Sequence, residues 1–279
     1  MTELPRIPLA GVIGHPVAHS RSPRLHGYWL KRYQIKGHYV PLDIGQADLK
    51  DALQVLPKLG FVGCNVTIPH KETALALADV VTDRAALIGA ANTLIFRKDG
   101  KIHADNTDGV GFTANLRQNA PGWNPAAGPA VLFGAGGAAR AVIVALIELG
   151  VQEIRIANRT RSRAEALRAD FGAKLQVYDW VYAAAMLQGA ALVVNTTALG
   201  MTGKPDLAIP LHDLARGTLV TDLVYTPLMT QFLIEAQDRG AQIVDGLGML
   251  LHQAVPGFER WFNHRPEVDD ATRAAVLGL

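Results

Sequence analysis

The stretch "AVLFGAGGAARAVIVALIELG", residues 130–150, sets three glycines between an apolar run and a helical pattern. Gly134, Gly136 and Gly137 allow a tight turn, with Ala135 between them and Ala138 standing where the dinucleotide fingerprint has its last glycine. They also let backbone N–H groups approach a pyrophosphate at a helix N-terminus. The plain alternative is a turn before a buried helix, but the strand-before, helix-after context favours the nucleotide reading. The next run, "EIRIANRT", ends in Asn158, Arg159 and Thr160, with Arg163 one turn further on. An NAD site carries an acidic residue there for the ribose 2′-hydroxyl. Two guanidiniums and a hydroxyl suit a 2′-phosphate instead, and the helix dipole otherwise disfavours cations at a helix start. The expected cofactor is therefore NADP. "VVNTTALGM" ends a further strand with Asn195 and Thr196, small polar groups placed to face that cofactor.

Hydride transfer from an alcohol needs a base for the hydroxyl proton. "NVTIPHK" sets Asn65, Thr67 and Lys71 just after an apolar run, "GAANT" presents Asn92, and "NTDG" presents Asp108. Singly these read as a surface lysine, a turn asparagine and a helix cap. Together, at strand ends of one α/β region, they point to a site. Lysine serves as a base once burial or a neighbour lowers its pKa, and a carboxylate orients it or shares the proton. Lys71 and Asp108 are the pair that the motifs bring forward. A third feature is "GHPVAHSRSPRLH", residues 14–26, where Ser22 reads as a helix cap ahead of Pro23. Ser20 has no such local explanation. Either this is ordinary turn chemistry, or two hydroxyls and a helix N-terminus are set out to hold an anion.

These groups need a scaffold, and the chain of 279 residues is long enough for one large domain or two of ordinary size. With 49% hydrophobic and 19% charged residues it supports substantial cores, and a net charge of +2 gives no footprint for nucleic acid or an anionic membrane. The single cysteine, Cys64, excludes an internal disulfide and reads as a buried structural thiol in a reducing compartment. The N-terminal residues do not read as a signal peptide. The most apolar stretch, "ARAVIVALIELG", is about half a bilayer span and carries Arg140 and Glu148. A cytoplasmic protein without membrane or nucleic-acid partners is expected.

Along the first half, strands are expected at "PLAGVIG", "HYVPLDI" and "FVGCNVT". Helices are expected at "SPRLHGYWLKRYQ", at "ADLKDALQVLPKLG" and near 71–78. A hairpin follows, with a type I′ turn at Asp99-Gly100. After a helix at "DGVGFTANLRQN", the segment "APGWNPAAGP" reads as a linker. Beyond it, strands at 130–133, 153–157, 191–195, 218–224 and 241–245 alternate with helices at 136–149, 161–171, 228–239 and 248–262. That alternation implies a parallel sheet covered on both faces.

The eight stretches "GHPVAHSRSPRLH", "NVTIPHK", "GAANT", "DNTDGVG", "GAGGAAR", "NRT", "DLVYTPLMTQFL" and "DGLGMLLHQ" occur in the order and spacing of the shikimate dehydrogenases. The chain resembles that family over nearly its full length. The resemblance implies reversible NADP-linked reduction of 3-dehydroshikimate to shikimate, a step toward aromatic amino acids. It implies a two-domain α/β fold: a substrate-binding and catalytic domain over 1–110 with a mostly parallel mixed sheet, and a Rossmann NADP domain over 111–246. Helices over 247–279 return to the first domain, and the active site lies between the two. It further implies that Ser20 and Ser22 hold the substrate carboxylate and that Lys71 and Asp108 are the catalytic pair. Thr67, Asn92, Tyr225 and Gln253 are implied as substrate contacts. Leu223, Gly246 and Met249 join Gly134, Ala135, Gly136, Gly137, Ala138, Asn158, Arg159, Thr160, Arg163 and Thr196 around the cofactor. One departure is Gly27, where the family usually has asparagine.

Three other readings compete. A quinate/shikimate dehydrogenase often alters one carboxylate-binding serine and prefers NAD, whereas both serines and a basic strand end are present. A non-catalytic NADP-binding regulator on this fold would lose the proton-transfer pair, which is retained. A metal enzyme built on His15, His19 and His26 fits no usual ligand spacing, so no metal is expected. A monomer or a homodimer is equally compatible with the sequence.

Overall fold

The computed structural model describes residues 7–279, so the signal-peptide expectation rests partly on residues 1–6, outside the described ones. The chain divides into two compact units. One runs through Asp108 and resumes at Leu250–Leu279, and the other is Gly109–Met249.

The first unit opens with β1 (Leu9–Gly14), α1 (Ser22–Arg32), β2 (His38–Asp43), α2 (Leu49–Val55) and β3 (Phe61–Val66). It continues with α3 (Lys71–Ala76), β4 (Val80–Val81), α4 (Asp83–Ile88), β5 (Thr93–Phe96) and β6 (Ile102–Asp105). The sheet order is β2-β1-β3-β5-β6-β4, parallel except where β5 runs against β3 and β6. One face buries Ile13, Leu49, Leu53, Cys64 and Leu94. The thiol of Cys64 is fully buried, and burial pushes its pKa up, as befits a structural cysteine.

Several local expectations change. Ser22 is the first residue of α1 and Arg21 occupies the capping position without a side-chain cap bond. The capping role passes to Ser20, whose hydroxyl oxygen accepts from the Ser22 N–H at 3.3 Å. The hairpin turn is not type I′, which needs positive φ at both central residues. Gly100 has φ 83° but Asp99 does not, and the Gly100 N–H closes on the Arg97 carbonyl at 3.0 Å, a turn followed by a left-handed glycine. Pro57 ends α2 early and converts its continuation, Leu56–Leu59, to a tighter 3₁₀ turn. The short elements β4 and α4 carry no long periodic signal. Thr82 nevertheless caps α4, accepting from the Ala85 N–H at 3.3 Å.

The second unit takes up α5 (Asp108–Asn119), β7 (Ala130–Phe133), α6 (Gly137–Glu148), β8 (Ile154–Ala157), α7 (Arg161–Phe171) and β9 (Leu175–Tyr178). It adds β10 (Leu192–Asn195), β11 (Leu219–Asp222), α8 (Gln231–Asp238), β12 (Gln242–Val244) and the start of α9 (Leu247–Phe262). All six strands are parallel in the order β12-β11-β10-β7-β8-β9, the doubly wound arrangement. Alternation along β7 sends Leu132 to one core with Val142 and Leu146, and Val131 and Phe133 to the other with Phe232 and Leu233. The expected linker, residues 120–129, is an internal connection of this unit, with Trp123 packed on its core. No helix among the described residues is long and apolar enough to cross a membrane.

The end of α9 and the final α10 (Asp270–Leu277) belong to the first unit. Trp261 Nε1 donates to the Leu94 carbonyl at 3.0 Å, and Trp29 Nε1 to Thr272 Oγ1 at 3.4 Å. Arg32 pairs with Asp269 at 2.8 Å. His26 lies within this aromatic layer, stacked on Tyr39 at 3.8 Å and near Trp29, Phe258 and Trp261. Among the described residues neither ring nitrogen finds a partner at hydrogen-bonding geometry, and burial, only partly offset by the nearby Asn65, lowers its pKa from 6.5 to about 3.

Because the unfolded chain binds the His26 proton more readily, stability from this group is complete above pH 6.5 and is lost as pH falls toward 3. His26→Phe is expected to lessen the loss of stability over that interval, measured by denaturant unfolding at stepped pH; an unchanged pH slope would contradict it. Gly27 is exposed and mid-helix, and a Cβ there meets nothing within 4 Å. Gly27→Ala is expected to stabilise the protein by about 0.5–1 kcal/mol in the same assay.

Candidate active site

Sheet register collects the polar motifs of the first unit at one edge. Asn65 at the end of β3 lies opposite Thr93 at the start of β5, and Thr93 opposite Asp105 at the end of β6. The loop after β3 also bonds to β1 and the segment after it, through Thr67 N–H to the Ile13 carbonyl at 2.8 Å and His15 N–H to the Ile68 carbonyl at 3.1 Å. Thr67, Lys71, Asn92 and Asp108 therefore share the edge from which the Ser20–Ser22 segment departs.

Lys71 Nζ lies 2.5 Å from Asp108 Oδ2, in an ion pair whose side chains are 23% and 10% exposed. The pair is partly open to solvent but firmly held. Asn92 Nδ2 donates to Asp108 Oδ1 at 2.8 Å and also lies 3.0 Å from both Thr107 Oγ1 and Gln253 Oε1. Asn92 Oδ1 accepts from the Thr107 N–H at 2.8 Å and from the Thr93 hydroxyl at 2.9 Å. Asn106 Oδ1 receives the Asp108 N–H at 3.0 Å, and Asn106 Nδ2 donates to the Ala90 carbonyl at 2.9 Å. Upstream, Asp105 pairs with Arg84 and accepts from the Thr82 hydroxyl at 2.8 Å. Burial raises the Asp105 pKa, but the bonds from Arg84 and Thr82 outweigh it and hold the carboxyl below its usual range. His70, just before Lys71, donates from Nε2 to the Ile44 carbonyl at 2.7 Å.

Lys71, Asn92, Asp108 and Gln253 thus form one bonded cluster. Asn65, which "NVTIPHK" brings forward, completes it with Thr93, Asn106 and Thr107, which stand within the quoted motifs without being singled out there. Tyr39, whose hydroxyl donates to Asn65 Oδ1 at 2.7 Å, carries no sequence signal at all. Ser20 is half-buried and Ser22 buried, so both hydroxyls have local structural surroundings besides any anion.

In the second unit, the glycine turn closes with Gly134 at φ 110°, where a Cβ would lie 2.7 Å from Thr196 Oγ1. At Gly136 and Gly137 a Cβ would meet nothing within 4 Å, and α6 starts there without a side-chain cap or an acidic residue. Open space over an uncapped helix N-terminus fits a pyrophosphate. Ala135 and Ala138 are part-exposed beside it. Asn158 bridges the turn, accepting from the Ala135 N–H at 3.1 Å and donating to the Thr160 carbonyl at 2.8 Å. Arg161 is committed to Glu165 and Asp179, whereas Arg159, Thr160 and Arg163 are exposed and have no side-chain partner among the described residues. Two free guanidiniums flanking a helix start fit a 2′-phosphate.

Thr196 donates to the Phe133 carbonyl at 2.9 Å and binds β10 to the glycine turn. Asn195 does not face outward as expected; it has no solvent exposure and bonds within the loop ends. Leu223 and Tyr225 follow β11 half-buried, while Met249 is buried in the core beneath. A Cβ on Gly246 would meet the Val224 and Asp222 carbonyl oxygens at 2.6 and 2.7 Å, so only glycine fits. Among the described residues no group of three His, Cys, Asp or Glu is placed to hold a metal ion.

Comparison with known proteins identifies the family. Residues 12–94 match the shikimate dehydrogenase substrate binding domain, residues 123–201 match shikimate / quinate 5-dehydrogenase, and residues 246–277 match the shikimate 5'-dehydrogenase C-terminal domain. The chain is 73% identical over 277 residues to a shikimate dehydrogenase (NADP(+)) of Cereibacter sphaeroides, covering 99% of each. It is similar to the Thermus thermophilus shikimate 5-dehydrogenase solved with NADP(H) and shikimate, at 36% identity and a TM-score of 0.87 over 97% of this chain and 99% of that one. It is also similar to the quinate dehydrogenase of Corynebacterium glutamicum solved with NAD, at 32% identity and a TM-score of 0.90 over 97% and 99%. From the whole-chain identity and the three matched domains, the chain belongs to the shikimate dehydrogenase family.

Proposed function

We propose that this chain catalyses the reversible NADP-linked interconversion of shikimate and 3-dehydroshikimate, acting on a small-molecule substrate in the cytoplasm. The observation that carries the reading is the Lys71–Asp108 pair at 2.5 Å, held by Asn92. When bound, NADP would supply the hydride acceptor for the alcohol carbon and, reduced, the hydride donor for the carbonyl carbon. The chain's own residues handle the proton. As the alcohol is oxidised, the Lys71–Asp108 pair takes up the hydroxyl proton, and in the reverse direction it gives that proton to the carbonyl oxygen. Asp108 keeps the charge balanced and orients Nζ through the 2.5 Å contact.

Asn92 and Gln253 belong to the same bonded cluster and, with Thr67 and Tyr225, are assigned to the ring hydroxyls. Ser20 and Ser22 are assigned to the carboxylate, where a helix start adds N–H dipole. The glycine turn, with Gly134, Gly136 and Gly137, takes the pyrophosphate, and Arg159, Thr160 and Arg163 take the 2′-phosphate. Thr196, Leu223, Gly246 and Met249 border the nicotinamide side. Quinate with NAD is the second reading, favoured by the similarity to the quinate dehydrogenase. Both serines and the basic strand end support the first.

Assay of all four pairings of shikimate or quinate with NADP or NAD decides between them. The expected outcome is the highest kcat/KM for shikimate with NADP; a higher value for quinate with NAD would reverse the assignment. Lys71→Ala is expected to retain NADP binding while kcat falls by about 10²–10⁴-fold. Near-normal turnover in that variant would remove Lys71 from the proton step.

A further inference from the structure

The second unit buries a carboxylate that the proton chemistry leaves unused. Asp222 ends β11 and Asn195 ends the neighbouring β10; the two are register partners and neither has solvent exposure. Asp222 Oδ1 accepts from Asn195 Nδ2 at 3.0 Å and from the Val224 N–H at 2.8 Å, and Oδ2 accepts from the Thr230 hydroxyl at 2.8 Å. Asn195 extends the network. Its Oδ1 accepts from the Thr197 N–H at 3.0 Å and the Thr197 hydroxyl at 2.7 Å, and its Nδ2 also donates to the Leu199 carbonyl at 3.0 Å. The Thr197 hydroxyl oxygen in turn accepts from the Leu199 N–H at 3.0 Å.

A carboxylate in such a place is costly, and burial pushes Asp222 up to about 6 despite its three bonds. What the bonds achieve is a fixed shape for two loops at the carboxyl ends of adjacent parallel strands. The first loop carries Thr196, itself bonded to the Phe133 and Gly134 carbonyls of the glycine turn. The second carries Leu223, whose N–H donates to the Asn195 carbonyl at 3.0 Å. The close approach of Gly246 to the Asp222 carbonyl adds the start of α9 to the same hub. β10 and β7 flank the point where strand order reverses, which is where doubly wound sheets bind dinucleotides.

We propose that Asn195 and Asp222 are positioning residues for the dinucleotide site, holding residues 196–199 and 223–225 in the shape that binds the nicotinamide end of NADP. This rests on the NADP reading above. Neither residue touches the cofactor; each acts through the backbone it holds. The requirement is for the hydrogen-bond pattern and not for the charge. An asparagine at 222 supplies an oxygen to Asn195 and Val224 and an N–H to the Thr230 oxygen.

The test uses the full chain, with NADPH affinity from fluorescence titration, separate KM values for NADP and shikimate, and melting temperature. Asp222→Ala is expected to raise the NADPH Kd and the NADP KM about tenfold, with the shikimate KM within about twofold of wild type. Asp222→Asn is expected to restore both to within about twofold. Thr197→Val serves if Asp222→Ala does not fold, because residue 197 is half-buried and lies outside the core. It removes the hydroxyl's bonds to Asn195 and from Leu199 while keeping the N–H bond to Asn195, and is expected to raise the NADPH Kd about threefold at an unchanged Tm. Wild-type NADPH affinity in Asp222→Ala or Thr197→Val overturns the proposal, as does an Asp222→Asn protein that binds as poorly as the alanine variant. Failure of the wild-type chain to bind NADPH would overturn the underlying cofactor reading itself.

Discussion

A buried amide bonded through both its oxygen and its nitrogen holds the first unit's chemistry in place. Asn92 is 2% exposed, and its side chain joins Asp108, Gln253, Thr93 and Thr107. Its backbone also accepts from the Val66 N–H and donates to the Asp105 carbonyl. Leaving one such buried group unpaired costs about 1–3 kcal/mol, so partial versions of the network are disfavoured and the arrangement behaves as a unit. The ion pair of Lys71 and Asp108 inherits its geometry from that amide. A lysine and an aspartate on a flexible surface would gain little from pairing. Here the carboxylate is oriented before the lysine meets it.

The second unit solves a different problem with a different economy of groups. Its sheet buries apolar cores on both faces, and the polar groups that shape the nucleotide end stand at the carboxyl ends of the central strands, where backbone groups lose their ladder partners. In the glycine turn the Gly134 and Ala135 N–H groups are taken by the Ala157 carbonyl and Asn158, α6 then starts without a side-chain cap, and the Asn195–Asp222 pair bonds the Val224 N–H nearby. One end of the sheet therefore carries both satisfied and deliberately open donors. The satisfied ones give shape, and the open ones give affinity for an anion.

Much of this is legible in the amino-acid order because the signals are local. The alternation around β7 and α6 declares the doubly wound sheet, and the glycine spacing declares its turn. Likewise α5 and α7 have the bounds that their apolar periodicity sets. Elements too short for a period, such as β4 and α4, leave only a capping threonine as a trace. The turn at Asp99-Gly100 misleads because the dipeptide serves more than one turn type, and loop length decides among them. Ser22 misleads for a related reason: the residue before a helix and the first residue within it share preferences, and Ser20 supplies the oxygen. Lys71, Asn92 and Asp108 are visible as motif residues, but their meeting depends on the register of β3, β5 and β6, which no local pattern encodes. Tyr39 stands in no motif, and Asp222 opens the stretch "DLVYTPLMTQFL" but shows its role only through burial and partners.

The first unit is closed by residues from the far end of the chain. Bonds from Trp29 to Thr272, from Arg32 to Asp269 and from Asn92 to Gln253 span sequence separations of 243, 237 and 161 residues. During synthesis the aromatic layer over α1 stays uncovered, and Asn92 lacks Gln253, until the whole second unit has been made. Gly109–Met249 holds its own cores and emerges complete while its predecessor waits. Residues 250–279 therefore supply both Gln253 to the bonded cluster and the cover of the aromatic layer over α1, so the first unit is incomplete without them.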